Sequence, residues 1–337
     1  MLGVGFGEAV LAPAFARDER VRVVGFCAHS LDRARTAATR FGVAHAWDDW
    51  RAALDSNEVD AVAIAVPPVL QPEIAREALR RGKHVFCEKP IAVDRHDADD
   101  LALAATKAAV AHAVDFEFCE LASFRRAYEL AHSDAWLHFA LTWRVETRAN
   151  RLGAHPWKTA TVRGGGALLG FGPHAVHAVE WLFGRISRLS ARIEPREAEA
   201  DTCVDAWLEL ENGVRGTLSI ATDALQGSGL RLEAYGANRS MVLENQTTDH
   251  LRNFVLTTRH REDAAPTIVV DERPAPGSAA PQGDGRIEPV ASLAKRFVDA
   301  ALGGQAVRPN LEDGARNTSV LDAMRTAHAT RAWQEIR

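Results

Sequence analysis

Three glycines near the start of the chain form a candidate phosphate-binding loop. Gly3, Gly5 and Gly7 alternate with other residues and lead into an apolar segment with a helical pattern. Glycine lets the backbone approach a pyrophosphate closely, and the start of a helix offers the anion free amide groups and a positive dipole end. Glu8 stands where the pattern G-x-G-x-x-G ends in glycine, and only two residues precede Gly3. A flexible N-terminus is therefore a second interpretation, and residues from an earlier start codon would complete the preceding strand.

Two further motifs fall at predicted strand ends. The apolar run 60–66 is typical of a strand buried on both faces, and Pro67 and Pro68 follow it. The next strand-like run ends at Glu88, Lys89 and Pro90. In a doubly wound sheet the carboxyl ends of the strands form the edge at which ligands bind. The charged pair therefore lies at a candidate ligand edge, although a surface salt-bridge residue beside a turn proline would have the same sequence.

The elements that must position these motifs alternate between short β-branched runs and helical patterns. This alternation indicates βαβ units and a parallel sheet covered on both faces. Ser30 and Gly42 have the residue types of helix start and stop signals. Strands are predicted over residues 21–28, 60–66, 84–87 and 113–118, and helices over residues 31–41, 71–81 and 94–111. We therefore expect a doubly wound dinucleotide-binding domain over residues 1–120.

The rest of the chain follows a different pattern. Strands are predicted over residues 136–146, 201–210, 213–222, 230–235 and 253–258, and helices over residues 166–183, 290–302 and 311–336. Most of these strands follow one another without a helix, which indicates a mostly antiparallel sheet. A chain of 337 residues also exceeds the size that one core usually supports. We expect a second, α+β domain over residues 121–337, with helices on one face of an open sheet and the last helix packing back on the first domain.

The order of these motifs resembles one family of oxidoreductases. The glycine loop, the strand ending at Pro67 and the Glu88-Lys89-Pro90 turn follow one another as in the Gfo/Idh/MocA family, which includes glucose-fructose oxidoreductase and inositol dehydrogenase. Further similar segments lie at residues 114–118, 143–144, 156–158, 164–174, 181–184 and 309–314. The resemblance implies a Rossmann domain that binds NAD or NADP. It also implies a second domain that takes a sugar, polyol or related hydroxy or keto compound and forms a homodimer or homotetramer through its sheet.

The resemblance assigns the proton chemistry to Lys89. In the family this lysine orients the substrate oxygen and assists proton transfer, the glutamate, here Glu88, contacts the nicotinamide ribose, and the bond before Pro90 is cis. An ammonium beside the reacting oxygen stabilises the alkoxide that develops there, while the hydride belongs to the cofactor. By the same resemblance the cofactor-binding residues include Gly3, Gly5, Phe6, Gly7, Val66, Pro67, Glu88 and Trp157, and the substrate-binding residues are Lys89, Arg144, Lys158, His174 and His177. A structural role is the alternative for Trp157.

Two histidines and a glycine occupy the other family positions. The family places an aspartate and a histidine, spaced D-x-x-x-H, at the start of a helix after a glycine triplet. His174 matches the histidine, Gly170 stands at the aspartate position, and His177 stands where the family is usually acidic. The histidines can be groups that transfer protons and position substrate, packed histidines with satisfied hydrogen bonds, or metal ligands. We assign His174 a catalytic role with Lys89 and expect no metal; a catalytically impaired member that senses a ligand or binds a partner is the alternative.

The end of the second predicted strand bears on the choice of cofactor. An acidic side chain there holds the ribose hydroxyls of NAD and repels a 2′-phosphate. This chain has His29, Ser30 and Arg33 around the expected position, and these side chains can receive a phosphate. We therefore favour NADP over NAD. The alternative is that Asp32 is an ordinary first-turn acid and Arg33 a solvated helix residue.

Composition excludes several other functions. The chain has 40 basic and 45 acidic residues and no long block of either sign, which argues against nucleic-acid binding. No window approaches the roughly 20 apolar residues of a membrane span, so no membrane partner is expected. The four cysteines form no C-x-x-C pair, which argues against zinc and disulfides. A reducing, cytoplasmic location fits best.

Overall fold

The chain forms two compact units. The computed structural model describes residues 1–147, 150–151, 164–195, 200–247, 249, 251–275, 277–278 and 282–336. The first unit comprises Met1–Glu117 and Arg286–Thr318, and the second comprises Phe118–Gly285 and Ser319–Arg337. The segment Arg286–Thr318, which the sequence analysis placed in the second domain, is thus counted with the first unit.

Short strands and helices alternate through the first unit. A π-helical turn, Gly7–Leu11, opens the chain's first helix. In chain order the other elements are α1 Ala12–Phe15, β1 Gly25–Cys27, α2 Leu31–Phe41, β2 His45–Trp47, α3 Trp50–Asp55, β3 Ala61–Ile64, α4 Gln71–Arg80, β4 His84–Cys87, α5 Arg95–Lys107 and β5 His112–Val114. Gly42 ends α2 in the left-handed conformation, with φ 71°, as its predicted stop signal requires.

All the strand pairs of the first unit are parallel, as expected. β1 pairs with β2, β3 with β4, and β4 with β5. Leu2 joins the two sets, because it forms parallel bridges to both Cys27 and Ile64. The two residues before the glycine loop therefore act as the central strand, and the predicted doubly wound sheet is confirmed.

Two elements of this sheet escaped sequence analysis. β2 has three residues, all partly exposed, and α3 has six. Neither is long enough to show a hydrophobic period, which is the main signal available in a single sequence. β5 ends at Val114 and a 3₁₀ turn, Glu117–Glu120, follows, so the strand predicted over residues 113–118 was too long.

The second unit is built on one large sheet. Its elements, together with those of the C-terminal segment, are α6 Ala122–His132, β6 Trp136–Arg144, α7 Ala167–Gly170, α8 Gly172–Phe183, β7 Ile186–Pro195, β8 Asp201–Leu210, β9 Arg215–Ala221, β10 Gly229–Gly236, β11 Arg239–Asn245, β12 Val255–His260, β13 Thr267–Asp271, α9 Ile287–Ala301, α10 Leu311–Thr330 and β14 Gln334–Glu335. The nine strands lie in the order β13-β12-β11-β10-β6-β9-β8-β7-β14. Only the central pair, β6 and β9, is parallel. The expected mostly antiparallel sheet is confirmed, and the sequence missed β7, β11, β13 and β14.

The two faces of this sheet differ. In β8, buried side chains such as Val204 and Leu208 alternate with outward ones such as Trp207, which is 66% exposed. The inner face is apolar and packs against helices of the same unit; Phe183 of α8, for example, stacks on Phe139 of β6 at 5.2 Å. None of the helices in the described ranges is long and apolar enough to cross a bilayer.

Gly3 is a position at which the fold requires glycine. Its φ is 102°, and an added Cβ would lie 2.2 Å from the carbonyl oxygen of Ala65. Gly3→Ala should therefore lower the free energy of unfolding by about 3 kcal/mol or more, measured by urea denaturation. Gly7→Ala is the matched control, since its nearest new contact would be an ordinary 3.8 Å. Equal stability of the two variants would contradict this account of the loop.

Candidate active site

The predicted cofactor residues of the first unit gather at one edge of its sheet. Because the strands are parallel, the segments that follow them meet at the carboxyl edge. The segments there are residues 3–6 after the central strand, 28–30 after β1, 65–67 after β3, 88–90 after β4 and 115–117 after β5. The structure thus brings Gly3, Gly5, Phe6, His29, Ser30, Val66, Pro67, Glu88 and Lys89 to one edge, with Gly7 at the start of the first helix and Arg33 in the first turn of α2.

The glycine loop has the shape that a dinucleotide needs. The amide of Gly3 donates to the carbonyl of Cys27 at 2.8 Å, which ties the loop to β1. At Gly5 an added Cβ would meet no atom within 4 Å, so the backbone there borders open space that a side chain would fill. The Arg286 guanidinium lies 4.9 Å from the centre of the Phe6 ring and adds positive charge beside the loop. These features fit a bound pyrophosphate.

Glu8, which interrupts the glycine pattern, has a partner. Its carboxylate forms an ion pair with Arg40, near the end of α2. The Glu8 side chain is 17% exposed, so the pair is partly shielded from solvent. Its negative charge is therefore compensated, and it does not simply repel an anion at the loop.

The segment after β1 carries no acid at its tip. His29 and Arg33 are exposed, and Arg33 Nη1 lies 3.5 Å from His29 Nδ1. Ser30 precedes α2 with an extended backbone, and its hydroxyl makes no capping hydrogen bond. Asp32 is 94% exposed and lies 4.0 Å from Arg35. The side chains predicted to receive a phosphate are thus close to one another.

The Glu88-Lys89-Pro90 turn is fixed on two sides. The Lys89–Pro90 bond is cis, as the resemblance implied. The amide of Glu88 donates to Ile64 O at 2.9 Å, and the fully buried Gln71 donates through Nε2 to Pro90 O at 2.8 Å. Half-buried Lys89 is therefore held on a rigid turn at the end of β4. Gln71 is a positioning residue that sequence analysis missed.

Two buried acids beside this turn were also missed. Asp115 is 1% exposed and Glu117 is 4% exposed. Burial raises the pKa of Glu117 to about 7, and the Lys89 charge partly opposes that rise. Burial also raises the pKa of Glu88 and of Asp115, and the charges of Glu88 and Glu117 raise that of Asp115 further. The signal was present in the sequence, since both acids follow β5 as Glu88 follows β4, but the strand was predicted to run past them.

In the second unit, His174 lies among aromatic side chains. It is on α8, 7% exposed, and stacks on Phe118 with ring centres 4.8 Å apart. Trp143 lies 6.3 Å from it and contacts Phe171 edge to face at 4.7 Å. This environment fixes the ring, which suits both a packed histidine and one that positions a substrate. The catalytic role of His174 stays a prediction.

His177 and Gly170 have different surroundings from His174. His177 is half-buried and stacks towards Trp181 at 6.4 Å, and Trp181 stacks on Tyr128 of α6 at 4.6 Å. Gly170 is the last residue of α7, and an added Cβ would meet no atom within 4 Å. The backbone at Gly170 therefore has room for a Cβ.

Asp201 caps α7, the short helix that precedes α8 and its two histidines. Its carboxylate accepts a hydrogen bond from the amide of Leu168 at 2.6 Å, at the start of α7. Gly166 has φ 105°, and an added Cβ there would lie 2.2 Å from Asp201 Oδ1. The glycine triplet of the sequence therefore includes one residue that makes room for this cap.

Arg144 lies on the opposite face of the sheet from His174. Burial alternates along β6, so Trp143 faces inward and Arg144 outward. The Arg144 guanidinium donates to Ser219 Oγ at 2.6 Å on that outer face. The structure does not bring Arg144 together with His174, and its substrate role stays an untested prediction. Trp157 and Lys158 lie outside the described residues.

Comparison with protein families decides the family. Residues 1–116 match the model of the oxidoreductase family with an NAD-binding Rossmann fold, Gfo/Idh/MocA, and residues 135–242 match the model of that family's C-terminal domain. The chain belongs to the Gfo/Idh/MocA family.

Individual Gfo/Idh/MocA relatives are similar over nearly their whole length. An uncharacterized oxidoreductase of Synechocystis is 28% identical over 100% of this chain and 95% of its own. The levoglucosan dehydrogenase of Pseudarthrobacter phenanthrenivorans is 23% identical over 90% of this chain and 86% of its own. A solved levoglucosan dehydrogenase in complex with NADH and L-sorbose superposes with a TM-score of 0.85, at 21% identity, over 100% of this chain and 97% of that one. At that identity the superposition establishes the shared fold.

The buried acids of this Gfo/Idh/MocA chain predict a pH-dependent stability. A folded protein whose carboxyl pKa is raised holds a proton that the unfolded chain releases. That stabilisation is complete below the unfolded pKa and is lost as the pH rises through the folded pKa. Asp115→Asn removes one such carboxyl and keeps its shape. The fall in the free energy of unfolding between about pH 5 and pH 8, measured by urea denaturation, should be smaller in this variant than in the wild type.

The control for this prediction is Asp48→Asn, which makes the same change of charge at an exposed position. It should keep the wild-type slope of stability against pH. An unchanged slope in Asp115→Asn would contradict the assignment of a raised pKa to that carboxyl.

Proposed function

We propose that this protein is an NAD(P)-dependent oxidoreductase that transfers a hydride between the nicotinamide and a sugar, polyol or related hydroxy or keto compound. The observation that carries the proposal is the meeting of the glycine loop and the Lys89 turn at one edge of the sheet, in a Gfo/Idh/MocA chain. The name of the relative levoglucosan dehydrogenase supports a sugar as the substrate class. No observation on the described residues favours the impaired, ligand-sensing alternative.

Different residues at the sheet edge would bind different parts of the cofactor. The open backbone at Gly5 would receive the pyrophosphate, Val66 and Pro67 would border the nucleotide, and Glu88 would hold the nicotinamide ribose. When bound, the nicotinamide supplies or accepts the hydride. We propose NADP as the preferred form because His29, Ser30 and Arg33 meet after β1 without an acid at the strand tip.

Lys89 would hold the substrate oxygen. As the carbon gains or loses hydride, that oxygen gains or loses a proton, and an ammonium hydrogen-bonded to it stabilises the negative charge that develops. The hydrogen bond from Gln71 to Pro90 O limits the positions that the Lys89 backbone can take. His174 is assigned to the substrate on the basis of the family resemblance.

Lys89→Ala should lower kcat by about 100-fold or more while cofactor affinity stays within about twofold. The reason is that Lys89 acts on the substrate oxygen and not on the nucleotide. Turnover of a panel of sugars, inositols and keto sugars is followed by nicotinamide absorbance, and cofactor affinity by isothermal titration. Lys107→Ala, at the end of α5, is the control. An equal loss of turnover and cofactor affinity in Lys89→Ala would instead place Lys89 in cofactor binding.

The cofactor preference is tested at Arg33. Arg33→Ala should weaken NADPH binding by about tenfold and leave NADH binding nearly unchanged, since one ion pair to a phosphate is lost. Arg35→Ala, two residues away and also exposed, serves as the control for loss of a positive charge on the same helix. Isothermal titration measures the affinities of the wild type and of both variants for NADPH and for NADH. An equal effect of Arg33→Ala on both nucleotides would contradict the NADP assignment.

We also propose that the outer face of the large sheet pairs with a second copy of the chain. On that face, cross-strand partners form one row across the sheet, and Glu233 is the charged member of this row. The row consists of Trp207, Thr217, Ala140, Glu233, Val242, Thr257 and Ile268. Trp207 and Ile268 are 66% and 54% exposed. Such a row is typical of a surface that is covered in an assembly.

Size-exclusion chromatography with light scattering should report a dimer or tetramer, and Trp207→Arg should dissociate it. Leu302→Arg, at a site in the first unit with the same 66% exposure, should leave it intact. A monomeric wild type would contradict the proposed assembly.

All four cysteines are free thiols in the structure, which supports a reducing, cytoplasmic location.

A further inference from the structure

Three carboxyl groups of the first unit are placed next to one another by the sheet. Cys87, the last residue of β4, pairs with Val114, the last residue of β5. The amide of Asp115 donates to Cys87 O at 2.8 Å, so the pairing continues one step past both strands. Glu88 and Asp115 therefore stand side by side at the sheet edge, and Glu117 follows in the next turn.

Buried carboxyl oxygens of Glu88 and Asp115 lack, among the described residues, the hydrogen-bond donors that two ionised carboxylates would need. Both carboxyl oxygens of Asp115 and Oε1 of Glu88 are buried and accept no hydrogen bond from a donor in the described part of the chain. Two carboxylates provide no donor to each other, but a carboxyl and a carboxylate do as soon as one proton is shared. The pair is thus built to keep a proton, as are other closely spaced carboxyl pairs.

Glu117 is the member of the cluster that can change its charge near neutral pH. Burial raises the pKa of Glu117 to about 7; the charges of Lys89 and Arg286 oppose that rise, and the charge of Glu88 adds to it. Asp115 also interacts with Glu117, since the Glu117 charge raises the pKa of Asp115. Of these groups, only Lys89 is assigned to the substrate oxygen. Glu117 is 4% exposed, so its carboxyl group is shielded from solvent.

We propose that Glu117 is the acid with which Lys89 exchanges a proton during turnover. This inference rests on the proposed function of Lys89. Glu117 acts through Lys89 and is not assigned a contact with substrate, so it is a positioning residue that holds a proton.

The step is balanced in the oxidising direction as follows. The O–H bond of the substrate breaks and its proton goes to the Lys89 nitrogen, while an N–H proton of Lys89 goes to a Glu117 carboxylate oxygen. The C–H bond would break with its electron pair, the hydride would pass to the oxidised nicotinamide when that cofactor is bound, and the carbonyl would form. Lys89 is an ammonium before and after the step. Glu117, now a carboxylic acid, releases the proton to water, and reduction runs the same transfers in reverse.

The first arm of the test measures Glu117 in the whole protein without substrate. Infrared difference spectra between about pH 5 and pH 9 should show a carboxyl carbonyl band that disappears with a midpoint near the pKa of about 7. The band should be absent in Glu117→Gln and should titrate at a higher pH in Lys89→Met, which removes the opposing cation. Glu120→Gln is the matched control, because Glu120 is a buried glutamate of the same 3₁₀ turn that pairs with Arg125.

The second arm measures turnover. In the oxidising direction wild-type kcat should rise with pH through a group that titrates near neutral pH. Glu117→Gln should lose that rise and about 100-fold in kcat, with KM and cofactor affinity within about twofold of the wild type. Glu120→Gln should keep both the rise and the rate. A purely structural role for Glu117 would lower stability but leave the pH profile in place.

The two arms separate this inference from the function on which it rests. A band that titrates below about pH 5, that ignores Lys89→Met, or that persists in Glu117→Gln would overturn the inference. So would a Glu117→Gln enzyme that keeps the pH-dependent rise. If the wild type turned over no sugar with either nucleotide, the proposed function would fail, and the infrared arm alone would decide whether Glu117 and Lys89 share a proton.

Discussion

The candidate active site depends on the parallel register of β4 and β5. Because Cys87 pairs with Val114, the residues that follow the two strands leave the sheet side by side. One strand contributes Glu88 and Lys89, and the other contributes Asp115. A shift of the register by one residue would turn these side chains to opposite faces, since side chains alternate along a strand. The lysine, its glutamate and the buried acids are therefore one consequence of a single backbone pairing.

The same edge shows why a functional site costs stability. Asp115 and Glu117 are buried, and both carboxyl oxygens of Asp115 and Oε1 of Glu88 have no hydrogen-bond donor among the described residues. A core made only for stability would place apolar side chains there. A functional reason for the arrangement is that carboxyl groups next to Lys89 can take up and release protons. Carboxyl groups with perturbed pKa values are typical of sites that move protons. In the proposed function, the first unit would supply both the nucleotide loop and this proton chemistry from adjacent strand ends.

Sequence analysis predicted the elements whose signals are local. α2 begins and ends at the predicted residues, because Gly42 supplies the left-handed stop, and β4 has the predicted bounds because its apolar run is short and clearly flanked. The glycine loop and the cis turn at Lys89 were found from motif order. β2 was missed because three partly exposed residues show no period. Arg144 was assigned from a motif, and only the alternation along β6 shows that it faces away from His174. Gln71, Asp201 and Arg286 act through partners distant in sequence, which no local pattern reveals. Asp115 was missed because the strand before it was predicted to run past Val114.

The proposed function requires the Lys89 ammonium to lie beside the nicotinamide at the carboxyl edge of the first sheet. A crystal structure of the protein with bound NADPH tests it most directly. The pyrophosphate should lie on the loop from Gly3 to Gly7, and the nicotinamide ring should lie against the Glu88-Lys89-Pro90 turn. Lys89 Nζ should be within hydrogen-bonding distance of an oxygen placed at the reactive carbon. A nucleotide bound elsewhere, or a Lys89 side chain directed away from the ring, would contradict it.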